Sequence, residues 1–523
     1  ERRLGKALRA ALPGIPVFLS CEVLPEVREF ERTSTTAVCA YVGPILESYL
    51  TQLETAVTGL GLPNLHIMGS TGGVFDVKEA LRIPVNSIES GPAAGVIAAQ
   101  LIGSQINEPD LISFDMGGTT AKASLIRDGE IEITAEYEVG GSGSQNRWVT
   151  GTGHPIRVPV IDLAEVSAGG GSIAWVDPAG SLRVGPGSAG AEPGPVCYGQ
   201  GGIEPTVTDA NLVLGYLDAN SLLDGGLPID YHSAVQALEE KIGKPMNMDA
   251  QTAAAAIREI VNNGMSEALR IVSIERGHDP REFCLVAFGG AGPLHAAALA
   301  QELEIPRVIV PPIPGGFSAL GLVGTDVRRD YARTLYQPLS DLAARDISAV
   351  WSELITEGKK MLKESGIPAS RWHFHRSADL RYTRQAYELN VTADEGEFTT
   401  TAKNQLADRF HARHEQTYGH QNPNEPVHLV TLRLTAVGKL DRLEITHHPD
   451  SVGNSEKSRR SAWFADAGSV ECAVHDRSRL DATSQLTGPA IVESLDSTLV
   501  IPPGWSASND HRGFITMERH HNE

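Results

Sequence analysis

Along the first hundred residues, short apolar runs alternate with longer stretches whose apolar positions recur at three- and four-residue spacing. Residues 15–20 read as a buried strand, 41–60 as an amphipathic helix and 65–68 as a second strand. That strand runs into Gly69-Ser70-Thr71-Gly72-Gly73. A helix over 93–101 then opens at Ser90-Gly91-Pro92, with the serine as N-cap and the proline in the first turn. A second unit begins at Leu111 as strand, glycine turn, strand: LISFD, MGGTT, AKASLI. The chain turns again at Asp128-Gly129 before IEITAEY, giving a hairpin meander. Residues 140–202 are rich in glycine and proline and too long for an ordinary connection, so they read as a functional loop region interrupted by short strands such as 173–176. Helical periodicity returns over 253–273, followed by a strand over 284–288, the turn Gly289-Gly290-Ala291-Gly292-Pro293 and a helix over 294–303. Past Asp330 the pattern changes to a charged helix over 342–365, β-rich segments near 380–391 and 427–437, and a terminal run ending in Gly504-Trp505. This portion is expected to be a separate C-terminal domain. No fixed-period repeat is present, although strand, glycine turn and helix follow one another at both Gly69 and Gly289.

The bulk numbers narrow this α/β reading. A length of 523 residues exceeds the roughly 250–300 at which one core stops growing, so two or three domains are expected. The 53 glycines are about a tenth of the chain, above the usual roughly 7%, and must serve local backbone geometry. A net charge of −21 disfavours nucleic acid and anionic membrane surfaces as partners. A nucleotide is still admissible, because backbone N–H groups and a cation handle phosphates locally. The five scattered cysteines contain no CxxC, so neither a disulfide framework nor a zinc cluster is indicated, and a cytoplasmic location fits. No apolar stretch approaches the roughly 18 residues of a membrane span, and no signal peptide is read. The chain starts at Glu1 in a helical pattern, so an upstream segment is expected.

Three constellations could carry chemistry. In the first, Gly117 and Gly118 let a tight turn present several N–H groups to one anion, and Thr119 and Thr120 add hydroxyls. Asp115 stands at its entrance, where a carboxylate meets phosphate only through a divalent cation such as Mg²⁺. A plain hairpin is the competing reading. The second is the turn Gly289, Gly290, Ala291, Gly292, which opens a helix with free N–H groups and a positive dipole end. It is not GxGxxG, and close helix–strand packing would also explain its glycines. Together the two turns point to a nucleotide cleft. The third is a set of carboxylates, Asp162, Glu165, Asp177, Glu192 and Asp209, with His154, suited to general-base or metal roles but without metal-ligand spacing. Asp209 opens an apolar helix, where an N-cap role is equally natural. The histidines His373, His375, His411, His414, His420, His447, His448, His520 and His521 lack completing ligands, so a metal site there is not read. No GxSxG elbow occurs, which leaves a serine hydrolase unsupported.

Taken together, EVLPEVREFERTSTTAVCAYVGP, IESGPAAG, SFDMGGTTAK, GGGSIAWVDPAGSLRVGPGSAGAEPGPVCYGQGG, PTVTDANLVLGYL, FGGAGPLHA, PGGFSALGL, GPAIVES and IPPGW resemble the hydantoinase A, 5-oxoprolinase and acetone carboxylase β-subunit family. The resemblance covers nearly the whole chain. It implies an actin-like (ribonuclease H-like) ATPase architecture with ATP between two related domains. The remainder of the first would occupy 1–104, and the second 105–330 with a Gly/Pro-rich insertion at 140–205. A smaller α+β domain would follow over 331–523. Asp115 to Thr120 then resembles the phosphate hairpin of the second domain, and Gly289 to Pro293 the adenosine-side motif. Gly170 and Gly171 join the candidate nucleotide-binding residues. The family's first hairpin, an Asp-Gly-Gly-Thr pattern, is absent from this chain. Lys122 stands where many relatives carry aspartate, offering an ammonium to phosphate. The implied function is the large, A-type subunit of an ATP-dependent hydrolase that opens a cyclic amide such as a hydantoin or 5-oxoproline through phosphorylation of its carbonyl oxygen. Asp115, Thr119 and Asp209 would be its catalytic residues, and a B-type subunit would complete a hetero-oligomer. Two alternatives stay open: a subunit of an ATP-dependent ketone carboxylase of the acetone or acetophenone type, and a non-catalytic actin-like scaffold.

Overall fold

A computed structural model describes residues 1–62, 65–134, 137–139, 153–222, 225–441 and 454–520. His447, His448, His521 and part of the Gly/Pro-rich region therefore lie outside the described residues. The elements that position the site are helix α1 (Glu29–Gly59), strands β1 (His66–Met68) and β2 (Val74–Asp76), and helix α2 (Ser90–Ile106). There follow the hairpin strands β3 (Leu111–Met116) and β4 (Ala121–Arg127), strand β5 (Ala164–Val166), and helices α3 (Val207–Val213) and α4 (Ala250–Val272). Strand β6 (Cys284–Phe288), helix α5 (Gly292–Glu302), strand β7 (Arg307–Val310) and helix α6 (Phe317–Gly324) close the middle of the chain. The remainder supplies β8 (Val327–Pro338), helix α7 (Ala344–Glu364), β9 (Trp372–Tyr382), β10 (Leu389–Ala393), helix α8 (Thr400–Tyr418), β11 (Val427–Gly438), β12 (Gln485–Thr487), β13 (Trp505–Asn509) and β14 (Ile515–Arg519).

Among the described residues two large sheets form. One runs β5-β4-β3-β6-β7-β14-β13-β12, with Glu130–Ile131 added beside β4, and the other β1-β2-β8-β11-β9-β10. In the first, β6 lies parallel to both β3 and β7, while β3 and β4 form the expected antiparallel hairpin. Alternation along β3 explains its burial on both faces. Ile112, Phe114 and Met116 join the core that includes α4 and α5, and Leu111 joins the opposite core with α2 residues Ala93, Val96 and Ala99. Each of the buried side chains Leu111, Ile112, Phe114 and Met116 contributes about 1.5–3 kcal/mol. Asp115 falls on the α2 side, at the strand's outgoing end.

The expected division at residue 331 does not coincide with a break in the sheets. Strand β8 crosses it, pairing with β2 of the first unit and along its length with β11. The last strand, β14, pairs with β7. The Pro16 segment also differs from expectation. Residues 15–20 form no strand, Ile15 is 59% exposed, and the chain turns into a four-residue helix at Ser20. Pro16 has no N–H for a ladder, and no neighbouring strand pairs with this segment.

Helix α1 starts twelve residues earlier than the periodicity indicated, through the sequence RTSTTAV. Thr33 and Thr36 hydroxyls donate to the carbonyls four residues back, at 2.7 and 2.6 Å, so these poor helix formers are accommodated by side-chain bonds. Helix α4 begins at Ala250, where Asp249 accepts from Thr252 N at 2.7 Å. Ser90 proves to be the first helical residue of α2 rather than its cap. Glu89 occupies the cap position in a left-handed conformation (φ 59°), and no side chain caps the helix. The five cysteines are free, and no described helix is long and apolar enough to cross a membrane.

Candidate nucleotide site

Between β3 and β4 the chain reverses through Gly117-Gly118-Thr119-Thr120, closed by Gly117 N donating to Thr120 O at 3.2 Å. A Cβ on Gly117 or Gly118 would meet nothing within 4 Å, so open space lies beside both. Among the described residues no protein acceptor pairs with the N–H of Gly118 or Thr119. The rear of the turn is fixed by backbone alone. Gly170 N donates to Gly117 O at 3.0 Å and Gly171 N to Gly118 O at 2.6 Å. Gly169 packs so closely that a Cβ would come 2.5 Å from Thr119 N. The hairpin thus has its carbonyls held from behind and two amides left for an anion.

The second glycine turn lies against the first, although about 170 residues separate them in sequence. Gly289 has φ +80°, and a Cβ there would come 2.5 Å from Asp115 Oδ1. Ala291 N donates to Met116 O at 3.0 Å. Helix α5 opens at Gly292 with Pro293 in its first turn and no side-chain cap, leaving its N-terminal dipole uncompensated beside the hairpin. From the C-terminal portion, Asp496 accepts from Gly315 N at 2.7 Å, and Gly289 N donates to Pro314 O at 2.9 Å. These two bonds hold the 314–316 loop against the glycine turn.

Cross-strand register puts Phe288, Asp115, Lys122 and Glu165 in one row over β6, β3, β4 and β5. Lys122 Nζ lies 2.9 Å from Glu165 Oε1 and donates to Thr120 Oγ1 at 2.9 Å. Burial lifts the Asp115 carboxyl above its ordinary value, and only Lys122 opposes the shift. No hydrogen-bond donor reaches this carboxylate among the described residues. A desolvated carboxylate without a donor, next to open amides, fits a hydrated Mg²⁺ shared with phosphate oxygens, since Mg²⁺ takes one or two carboxylates and keeps several waters. Elsewhere among the described residues no group of three or more His, Cys, Asp or Glu is gathered for a metal.

Comparison with known proteins decides the family. Residues 32–331 match the hydantoinase/oxoprolinase model and residues 339–520 the model of the hydantoinase/oxoprolinase C-terminal domain. The chain belongs to the hydantoinase/oxoprolinase family. It is 41% identical to an uncharacterised protein of Methanocaldococcus jannaschii, over 99% of this chain and 75% of that one. It is 33% identical to the caprolactamase α subunit of Pseudomonas jessenii, over 98% of this chain and 73% of that one. The acetone carboxylase β subunit of Xanthobacter autotrophicus is 28% identical, over 96% and 71%. The crystal structure of the P. jessenii ATP-dependent caprolactamase superposes with a TM-score of 0.81, at 32% identity, covering 100% of this chain and 75% of that chain. The fold is that of the actin-like ATPases.

Within this member of the hydantoinase/oxoprolinase family, several residues inferred from sequence take other places. Asp209 is fully buried at the third position of α3, in a capping box with Thr206. Its oxygens accept from Val196 N (3.2 Å), Cys197 N (2.8 Å), Thr206 N (2.8 Å) and Thr206 Oγ1 (2.8 Å). Held without exposure by these donors, it organises the loop entering α3. The amides of Gly170 and Gly171 are spent on the hairpin carbonyls, so these glycines brace the turn from behind. Of the scattered acids only Glu165 reaches the site. Asp162 pairs with Arg276, Asp177 closes its own turn through Ala179 N and Ser181 N, and Glu192 and His154 are exposed. Two residues that the pattern did not single out border the site, Asp496 and Glu89. The second carries a visible signal, an acid directly before the helix-opening Ser-Gly-Pro.

Proposed function

We propose that this chain is the large subunit of an ATP-dependent hydrolase that opens a cyclic amide. The observation that carries the reading is the pair of abutting glycine turns, with free hairpin amides and an uncapped helix N-terminus around a carboxylate that lacks a donor. The γ-phosphate of ATP would accept hydrogen bonds from the Gly118 and Thr119 amides and from the Thr119 hydroxyl, with Gly117 shaping the turn. Lys122, through Thr120, places positive charge at the hairpin base. Gly289, Gly290, Ala291 and Gly292 would approach the nucleotide from the α5 side. Asp115 would hold a divalent cation such as Mg²⁺, which would supply charge neutralisation for the phosphates.

Chemically, the amide carbonyl oxygen attacks the γ-phosphorus and ADP departs. The O-phosphorylated carbon then accepts water, the ring C–N bond breaks to release the amine, and a second water frees inorganic phosphate. One ATP and two waters are consumed per ring opened. An unactivated lactam resists water, so the phosphoryl group makes the carbon electrophilic and phosphate becomes the leaving group. The 33% identity to a caprolactamase subunit over almost the whole chain supports an amide substrate, and subunit naming among relatives supports a hetero-oligomer with a B-type partner.

The acetone carboxylase relative supports a second reading, ATP-dependent carboxylation of a ketone, because the nucleotide site would be the same. ADP release by the full-length protein with its B-type partner separates the two. Hydantoin, 5-oxoproline or ε-caprolactam is expected to stimulate it. Stimulation only by acetone with bicarbonate would replace the hydrolase with a carboxylase, and absence of ATP binding would leave a scaffold.

A further inference from the structure

We propose that Glu89 is the proton-transfer residue of this site, taking a proton from the attacking water and returning it to the departing ring nitrogen. The inference rests on the amide-opening reading and adds the group that reading lacks. Its starting point is the way α2 lies across the sheet. Near the C-terminal end of α2, a Cβ on Gly103 would touch Leu111, the first residue of β3. Near the N-terminal end, a Cβ on Gly95 would touch Phe288, the cross-strand neighbour of Asp115. The helix therefore starts over the end of β3 where the hairpin turns, and Glu89 immediately precedes it in the left-handed region. Its carboxyl is hydrogen-bonded to Tyr137 and lies within the field of Glu165 and Lys122. These are the titratable groups that face it from β4, β5 and the Tyr137–Val139 strand.

Elimination supports the same residue. Asp209 is sealed in its capping box, Glu165 is ion-paired with Lys122, and Asp115 is assigned to the cation. Glu89 is half-buried and forms no ion pair among the described residues. Burial, reinforced by Glu165, raises its carboxyl above the ordinary range, against the lowering effect of the Tyr137 bond and Lys122. A carboxyl so placed exchanges protons closer to neutrality than an exposed one. In the balanced step, water forms the new C–O bond as its proton passes to the Glu89 carboxylate. The C–N bond then breaks, its electron pair stays on nitrogen, and the proton passes from Glu89 to that nitrogen.

Two variants in the assembled full-length complex test this. Glu89→Gln is expected to lower kcat for ε-caprolactam- or 5-oxoproline-dependent ADP release by about 100-fold or more, with KM for ATP within about threefold. Glu89→Gly suits the left-handed backbone, so it is expected to fold with an undiminished Tm and to regain at least about tenfold in rate when formate is supplied as a diffusible carboxylate. Turnover retained in either variant, a loss carried by KM for ATP, or a formate-insensitive loss would overturn the proposal. If no lactam stimulates the unmodified complex, the amide reading fails by itself. The same variants are then compared on intrinsic ATP hydrolysis, in which water is the acceptor and the same proton must leave.

Discussion

Burial in the fold disfavours the ionised form of the Asp115 carboxyl. Its folded-state pKa is raised by burial, so the folded chain binds its proton more tightly than the unfolded chain does. The stability linked to this group is fully present below the unfolded value near 3.8 and is lost as pH rises through the folded value. Asp115→Asn removes that loss. It is expected to raise Tm at pH 7 relative to the unmodified protein, with the difference vanishing toward pH 4, and to lower ATP turnover by at least about 100-fold. A lower Tm at pH 7 would mean that the carboxylate has a stabilising partner. Gly169→Ala should act in the opposite sense on stability, by about 1–3 kcal/mol in denaturant melts, because its Cβ would meet the Gly118–Thr119 backbone and not a flexible side chain. At this scale the sequence showed which residue types were present but not which donors they had already found. Asp115 and Asp209 look alike in the sequence, each an acid beside small polar residues. The distinction lies in the Val196 and Cys197 amides, which reach Asp209 from thirteen and twelve residues back along the chain.

Several elements are pinned together by one buried charge network. Glu26 is ion-paired with Arg157 at 2.8 Å and accepts from Arg433 of β11 at 2.7 Å, and Arg433 also reaches Asp379 of β9 at 2.7 Å. Burial alone would depress the Arg433 guanidinium, but Asp379 and Glu26 outweigh it and raise it further. Removing one member strands the others without solvent. Glu26→Ala is expected to cost about 3–5 kcal/mol in chemical denaturation, and the double replacement of Glu26 and Arg433 by apolar residues of similar volume should cost less than the single change. Equal costs would show that the network is not coupled. Long periodic elements such as α4 and α7, and the hairpin β3–β4, were legible because local pattern and tertiary burial agree. The first half of α1 was hidden by its threonines, and residues 15–20 imitated a strand because an apolar run with a single proline fits either a strand or an exposed crossing segment. Nothing local separates those two; only the absence of a pairing strand does.

Across the whole molecule, the sheets tie together segments that are distant in sequence. Strand β14 joins the sheet that carries the β3–β4 glycine hairpin, and Asp496 from the same portion anchors the 314–316 loop, so the C-terminal portion belongs to the framework of the candidate nucleotide site. Such pairings set no periodicity in the sequence: composition changes near 331, and the two family models meet between 331 and 339, while strand pairing runs across that point. That the two glycine turns serve one cleft could be read from their shared chemistry, but not their contact, since spacing along the chain carries no distance in space. The open face of Gly118 is the part of the candidate phosphate cradle that a substitution reaches without touching the fold. A Cβ there meets no protein atom within 4 Å, so a larger side chain is tolerated by the fold and obstructs only what enters from outside. The measurement is titration of Mg²⁺-ATP into the full-length complex carrying Gly118→Val beside the unmodified complex. The prediction is an unchanged Tm with affinity weakened by at least about 100-fold; equal affinity in the two proteins would contradict the assignment of Asp115 to Thr120 as the phosphate cradle.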